Sequence, residues 1–313
     1  MPVRMVFSFV ARATAYHDCL DLRLNMKTET KGMLLGLTAV TLFSLTLPAT
    51  RMALESFHPL FIGTGRGLLA AVLASMYLYL SKSRRPTWLE FRYLLLVVMG
   101  VGLGFPIFTA LAMGHVDASH GGVMLGIMPL TTAAVGALLF KERPSAGFWV
   151  MALLGSALVI AFSLIRGNGA LHWADLALLI AVVTGSTSYA VGGYLSKSLG
   201  GLQVISWAMV IALPIYIGPA IWFSPTFTEV TTTAWTGFLY AALVSQFLGF
   251  LPWFRGLALG GIARVGQTQL IQPFITILFS ALLLGESIDM MTLGFALAVF
   301  AVVATGRAFN IKR

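Results

Sequence analysis

The chain has 313 residues, 58% of them hydrophobic and only 10% charged, with a net charge of +9. A soluble domain carries about 25% charged residues, so this chain cannot present a water-facing surface, and its long apolar blocks lack the alternation of a membrane β-barrel. The single cysteine, Cys19, excludes an intrachain disulfide and a cysteine-based metal site, and the histidines are scattered, so neither a metal nor any other cofactor is expected.

Residues 1–25 hold one short apolar run and then turn polar. Met26 opens MKTETKGMLLG, which reads as a natural start, so 1–25 is expected to be disordered or an over-assigned beginning, and 1–31 a cytoplasmic N-terminal segment. A membrane span needs roughly 20 mainly apolar residues at 1.5 Å rise each. Blocks of that kind follow at 32–50, 60–80, 91–113, 118–140 and 147–165. After the short link at 166–169 come 173–195, 202–223, 235–257, 262–284 and 290–308. The expected fold is therefore all-α and integral to the membrane, with about ten transmembrane helices in two five-helix sets, 32–165 and 172–309.

The basic residues test that map. With the N-terminus in the cytoplasm, Lys27, Lys31, Lys82, Arg84, Arg85, Arg92, Lys141, Arg143, Lys197, Arg255, Arg264, Arg307, Lys312 and Arg313 all fall inside. Outside lie only Arg51 and Arg166. This is the positive-inside pattern. Both termini are expected in the cytoplasm, and the basic balance calls for no nucleic acid.

The two sets repeat one another. At an offset of 273 − 129 = 144, Pro129 meets Pro273, Ala137-Leu-Leu meets Ala281-Leu-Leu and Glu142 meets Glu286. At 146, PIFTALAMG from Pro106 meets PWFRGLALG from Pro252. An odd number of spans per half turns the second half upside down relative to the first. Inverted repeats place a substrate site near the midplane between the halves, which favours a transporter over a receptor or an enzyme.

The blocks MPLTTAAVGALLFKERPSAGFWVMALLGSALVI (128–160) and QPFITILFSALLLGESIDMMTLGFALAVFAVVATG (272–306) resemble the EamA family of the drug/metabolite transporter superfamily. Proline in mid-span, a small-residue and leucine run, and a glutamate at the span end carry the likeness, which covers 32–309 as two copies. The resemblance implies an exporter of amino acids or other metabolites in a bacterial inner (plasma) membrane, and it transfers no substrate-binding residues. Two departures stand out: Gly185 occupies the place of the aromatic Phe43, and Arg255 and Arg264 crowd the connector between the eighth and ninth spans.

Polar groups inside spans are the candidate site, because hydrocarbon penalises them. Gln269, Gln272 and Thr276 share one face by the 3.6-residue period, and Pro273 should free the Gln269 carbonyl one turn back. Gln246, Gly249 and Trp253 share another face beside Pro252. Ser44 and Ser186 are half-related, with Pro48 and Tyr189 close by in sequence. The alternatives are helix–helix hydrogen bonding, an interfacial tryptophan and serine bonded to its own helix. Arg66 is the one basic residue inside a span. It would snorkel outward, brace another helix, or bind a substrate carboxylate. Pro48, Pro106, Pro129, Pro252 and Pro273 should kink their helices, and Glu142 and Glu286 read as structural caps or ion-pair partners. His115, Asp117 and His120 are expected in a solvated outer connector. With no carboxylate in mid-span, transport should be facilitated or coupled without a buried acid.

The expected function is export of a small metabolite such as an amino acid by alternating access. The rivals are another substrate class (a drug, sugar or nucleotide-linked metabolite) and a non-transporting scaffold. No catalytic constellation marks an enzyme. The expected partners are a small-molecule substrate and the lipid bilayer, with a homodimer compatible with the sequence.

Overall fold

The computed structural model describes residues 28–140, 143–166, 172–307 and 311–312. The segment 1–25 and Glu142 lie outside the described residues. Helices dominate. The first half holds α1 (Thr28–Ser44), α2 (Thr46–Ala53), α3 (Pro59–Leu80), α4 (Trp88–Val97), α5 (Phe105–Met113), α6 (Ala118–Leu125), α7 (Met128–Phe140) and α8 (Ala146–Arg166). In the second half are α9 (Trp173–Leu199), α10 (Gly201–Trp222), α11 (Thr232–Leu239), α12 (Phe250–Gly260), α13 (Ile262–Gly266), α14 (Gln272–Leu284) and α15 (Met290–Arg307). Arg143–Pro144 pairs antiparallel with Ile311–Lys312 over two residues.

Among the described residues, eight helical stretches are long and apolar enough to cross a membrane: Thr30–Ala53, Pro59–Leu80, Trp88–Met113, Ala118–Leu139, Trp173–Leu199, Gly201–Trp222, Thr232–Gly260 and Gln267–Leu284. Two shorter apolar helices, Trp149–Ile165 and Met290–Thr305, lie where the sequence predicts its fifth and tenth spans. Val72, Leu138, Leu153, Ile221 and Leu282 are exposed. Lipid accommodates such a surface and water does not. This is a multi-pass membrane protein.

Several spans are broken, and proline marks each break. Pro48, Pro106, Pro129, Pro252 and Pro273 sit within the first three residues of α2, α5, α7, α12 and α14. A proline is tolerated in a first turn because its missing N–H would find no intrahelical acceptor there. Two breaks share a second feature. Val98–Gly104 and Tyr240–Leu248 wind as π-helices directly before the segments that carry Pro106 and Pro252. The matched prolines thus mark matched irregularities.

The ninth span corrects the sequence reading. Pro273 does not leave the Gln269 carbonyl unbonded. Gln267–Ile271 winds as a 3₁₀ helix, and that carbonyl accepts the N–H of Gln272.

Packing between the halves follows an exchange pattern. α1 packs along α12, and α5, in the third span, packs along α9. The corresponding helices pair with each other as well: α3 with α10, α6 with α14, and α8 with α15. Small residues allow the closest crossing. A Cβ on Gly32 would lie 2.6 Å from Gly260 Cα, so α1 and α12 meet backbone to backbone.

Candidate functional site

Among the described residues, one Lys or Arg side chain is buried in the helix bundle. Arg66, on α3, is 1% exposed. Its Nε donates to Gln246 Oε1 at 2.9 Å, and Gln246 Nε2 donates to Val101 O at 2.6 Å. Gln246 and Val101 belong to the two π-helical segments. Such winding shifts the backbone out of the ordinary i−4 ladder and commonly marks functional sites. The chain Arg66–Gln246–Val101 therefore links first half to second half and back. Arg66 Nη1 has no hydrogen-bond partner. Arg66 forms no ion pair among the described residues. The snorkelling alternative is overturned, because the side chain turns inward to an acceptor on another helix.

A cavity of about 10 Å³ adjoins Arg66 and Gln246. That is room for roughly one water. Thr46 and Ser245 line it and bond to each other, Oγ1 to Oγ, at 2.8 Å. Gln272 supplies an amide to the same wall. Phe43, Tyr189 and Phe250 form an aromatic side, with Phe43 and Phe250 centroids 5.0 Å apart. Trp253 is fully buried behind them, 5.0 Å from Tyr189, and its Nε1 has no partner. Val101, Phe105 and Leu125 complete the apolar lining. A Cβ on Gly185 would come within 3.0 Å of Phe105, so the aromatic missing from the sixth span is replaced in space by one from the third.

The predicted site residues separate into two groups. Arg66, Tyr189, Gln246 and Gln272 line the cavity, with Trp253 behind. Ser44, Ser186, Gln269 and Thr276 do not line it. Ser44 Oγ donates to Val40 O at 2.8 Å, and the Ser44 carbonyl accepts Thr276 Oγ1 at 3.0 Å. Ser186 Oγ donates to Met128 O at 3.3 Å. Gln269 is 1% exposed, and neither of its amide atoms has a partner. Sequence reasoning missed Thr46, Ser245 and Phe250. Thr46 and Ser245 could have been found as hydroxyls adjacent to candidate positions.

The ends of the bundle are fastened across the halves. At one end, Arg84 forms a bidentate pair with Glu90 at 2.7 and 2.8 Å, and Ser198 Oγ donates to the same carboxylate at 2.9 Å. At the other, Glu286 accepts the backbone N–H groups of Ala118 and Ser119 at 2.8 and 3.0 Å. It thus caps α6 of the opposite half, where a carboxylate complements the helix dipole. Arg51 pairs with Asp117 at 3.3 Å and also donates to Val116 O. His120 departs from its predicted solvated place. It is 7% exposed, and its Nε2 meets Asp175 Oδ1 at 2.7 Å, with Asp175 itself 2% exposed. This buried carboxylate lies in the first turn of α9, at a span end rather than in mid-span. Among the described residues no group of three or more His, Cys, Asp or Glu side chains is placed to hold a metal ion.

A helical membrane protein whose helix breaks converge on one internal cavity beside a buried, incompletely bonded arginine has the build of a carrier. Comparison with known proteins makes this specific: the chain belongs to the EamA-like transporter family, which matches it twice, over residues 30–164 and 172–305. It is 40% identical over 285 residues to an uncharacterized transporter, YdeK, of Bacillus subtilis (strain 168), across 91% of this chain and 99% of the relative. A probable amino-acid metabolite efflux pump of Salmonella typhimurium (strain LT2) is 24% identical over 286 residues, across 87% and 93% of the two chains. One crystal structure, 17% identical, matches with a TM-score of 0.64 over 88% of this chain and 96% of its own, a likeness of fold alone.

Proposed function

We propose that this transporter exports a small metabolite of the amino-acid class by alternating access, with its site between two inverted five-span repeats. The observation that carries the reading is the buried Arg66–Gln246–Val101 link, which joins the halves beside an aromatic-lined cavity. Ten spans follow from adding the two shorter apolar helices to the eight longer ones. The exchange pattern of helix contacts supports a two-fold relation between the repeats 32–165 and 172–309, and five spans in each half invert one against the other. The basic residues then orient the chain with both termini in the cytoplasm of a bacterial inner membrane. The Salmonella relative's description supports the direction and the metabolite class.

The cavity's small volume has a mechanical consequence. A metabolite reaches Arg66 only when the helices around it part. The cross-half contacts at the two ends, Arg84–Glu90–Ser198 and Glu286–Ala118, are the ones that would open in turn.

Counterflow in proteoliposomes tests this. Vesicles preloaded with a mixture of unlabelled amino acids should accumulate labelled ones saturably, and Arg66→Ala should abolish the accumulation. Equal accumulation in protein-free vesicles would refute the transport reading.

A further inference from the structure

We infer that the ligand of the central cavity is a monoanionic carboxylate with an apolar or aromatic body, held in preference to a zwitterion of the same shape. This rests on the transport reading of the cavity and narrows it: a free amino acid is the weaker ligand, and a metabolite that keeps the carboxylate without the ammonium is the better one.

The charge balance of the wall carries the argument. Arg66 brings one positive charge, is 1% exposed, and leaves Nη1 without a partner. Gln246 offers it only a dipole, its Oε1 accepting from Arg66 Nε. A cation out of water without a counter-charge is unfavourable, and an opposite charge brought to it by a ligand removes the imbalance. A carboxylate suits the planar guanidinium, which can present two N–H groups to it.

What the wall lacks is equally specific. None of the described residues lining the cavity is Asp, Glu or His. The hydroxyls of Thr46 and Ser245 are bonded to each other. A ligand ammonium would lose its hydration and find no carboxylate in return. Aromatic faces attract a cation weakly, but beside Arg66 that same cation is repelled. A dianion would leave its second charge unmatched. One carboxylate and no ammonium brings the site to neutrality. The remaining lining, Phe43, Phe105, Leu125, Tyr189 and Phe250, fits an apolar body.

The test uses three probes with one ring and different charges: 3-phenylpropionate, L-phenylalanine and 2-phenylethylamine. Equilibrium binding to the purified full-length protein should rank 3-phenylpropionate roughly tenfold or more above L-phenylalanine, as one charge-assisted contact implies. The amine should not compete. Arg66→Gln should remove the preference, and Arg66→Lys should restore part of it. In Gln246→Glu, which sets a carboxylate beside Arg66, the preference should also vanish. Because the wild-type ranking needs no variant, a misfolded mutant leaves the test intact. L-phenylalanine binding as tightly as 3-phenylpropionate would overturn the inference. Saturable movement of both probes through vesicles without discrimination by charge would overturn the charge rule alone. Failure of both to cross would overturn the transport reading and this inference together.

Discussion

Two of the places where this molecule buries charge are built in opposite ways. At one end of the bundle the charges are matched across the halves: His120 with Asp175, and Glu286 with the first amides of α6. At the centre Arg66 has an amide acceptor and a leftover N–H. A matched buried pair holds structure together, and removing one partner strands the other. An unmatched buried charge contributes little to folding and is a place where a ligand can supply what is missing. The same residue classes thus fasten the protein in one region and recognise in the other.

Mutations that separate stability from transport sharpen this contrast. Arg66→Met should have the largest effect on function: saturable flux in proteoliposomes should fall roughly a hundredfold or more, because a charge-assisted bidentate contact is lost. Its unfolding free energy should shift by less than about 2 kcal/mol, since the cost of stranding Gln246 Oε1 is offset by relief of an unmatched buried charge. At the fastened end the pattern should reverse. Asp175→Ala should lower stability in detergent by about 3–5 kcal/mol, while flux per folded molecule stays near wild type. A smaller loss, about 1–2 kcal/mol, is expected for Glu286→Gln, which keeps the shape but removes the charge facing two helix amides. Thr276→Val removes one neutral bond to the Ser44 carbonyl and should cost about 1 kcal/mol. Thermal or denaturant unfolding checks the last three, and a collapse in folding for Arg66→Met would break the comparison.

Much of this architecture is legible in one dimension because hydrophobic blocks and prolines are local signals. The spans appear as runs, and Pro106 and Pro252 foretell the breaks that follow both π-helical segments. Arg66 is conspicuous as a charge in an apolar run. The pairing is not, since Gln246, itself a candidate as a polar group in a span, lies 180 residues away. Gln269 fails for a separate reason: it sits in a 3₁₀ segment, where the 3.6-residue period does not hold and the carbonyl expected to be free is used. His120 reads as a loop residue because its position near a helix start says nothing of the second half folding over it. Asp175, 55 residues on, is what buries it.

The central claim is that the cavity beside Arg66 is where substrate sits and that it opens to both sides of the membrane. Thr46 lines that cavity, so a single cysteine there, Thr46→Cys in a Cys19→Ser background, reports on it directly. Labelling by a membrane-impermeant maleimide should proceed from either face of the membrane and should slow when 3-phenylpropionate is present at saturation. A cysteine that stays unreactive from both faces, or one whose labelling ignores every transported ligand, would contradict the account.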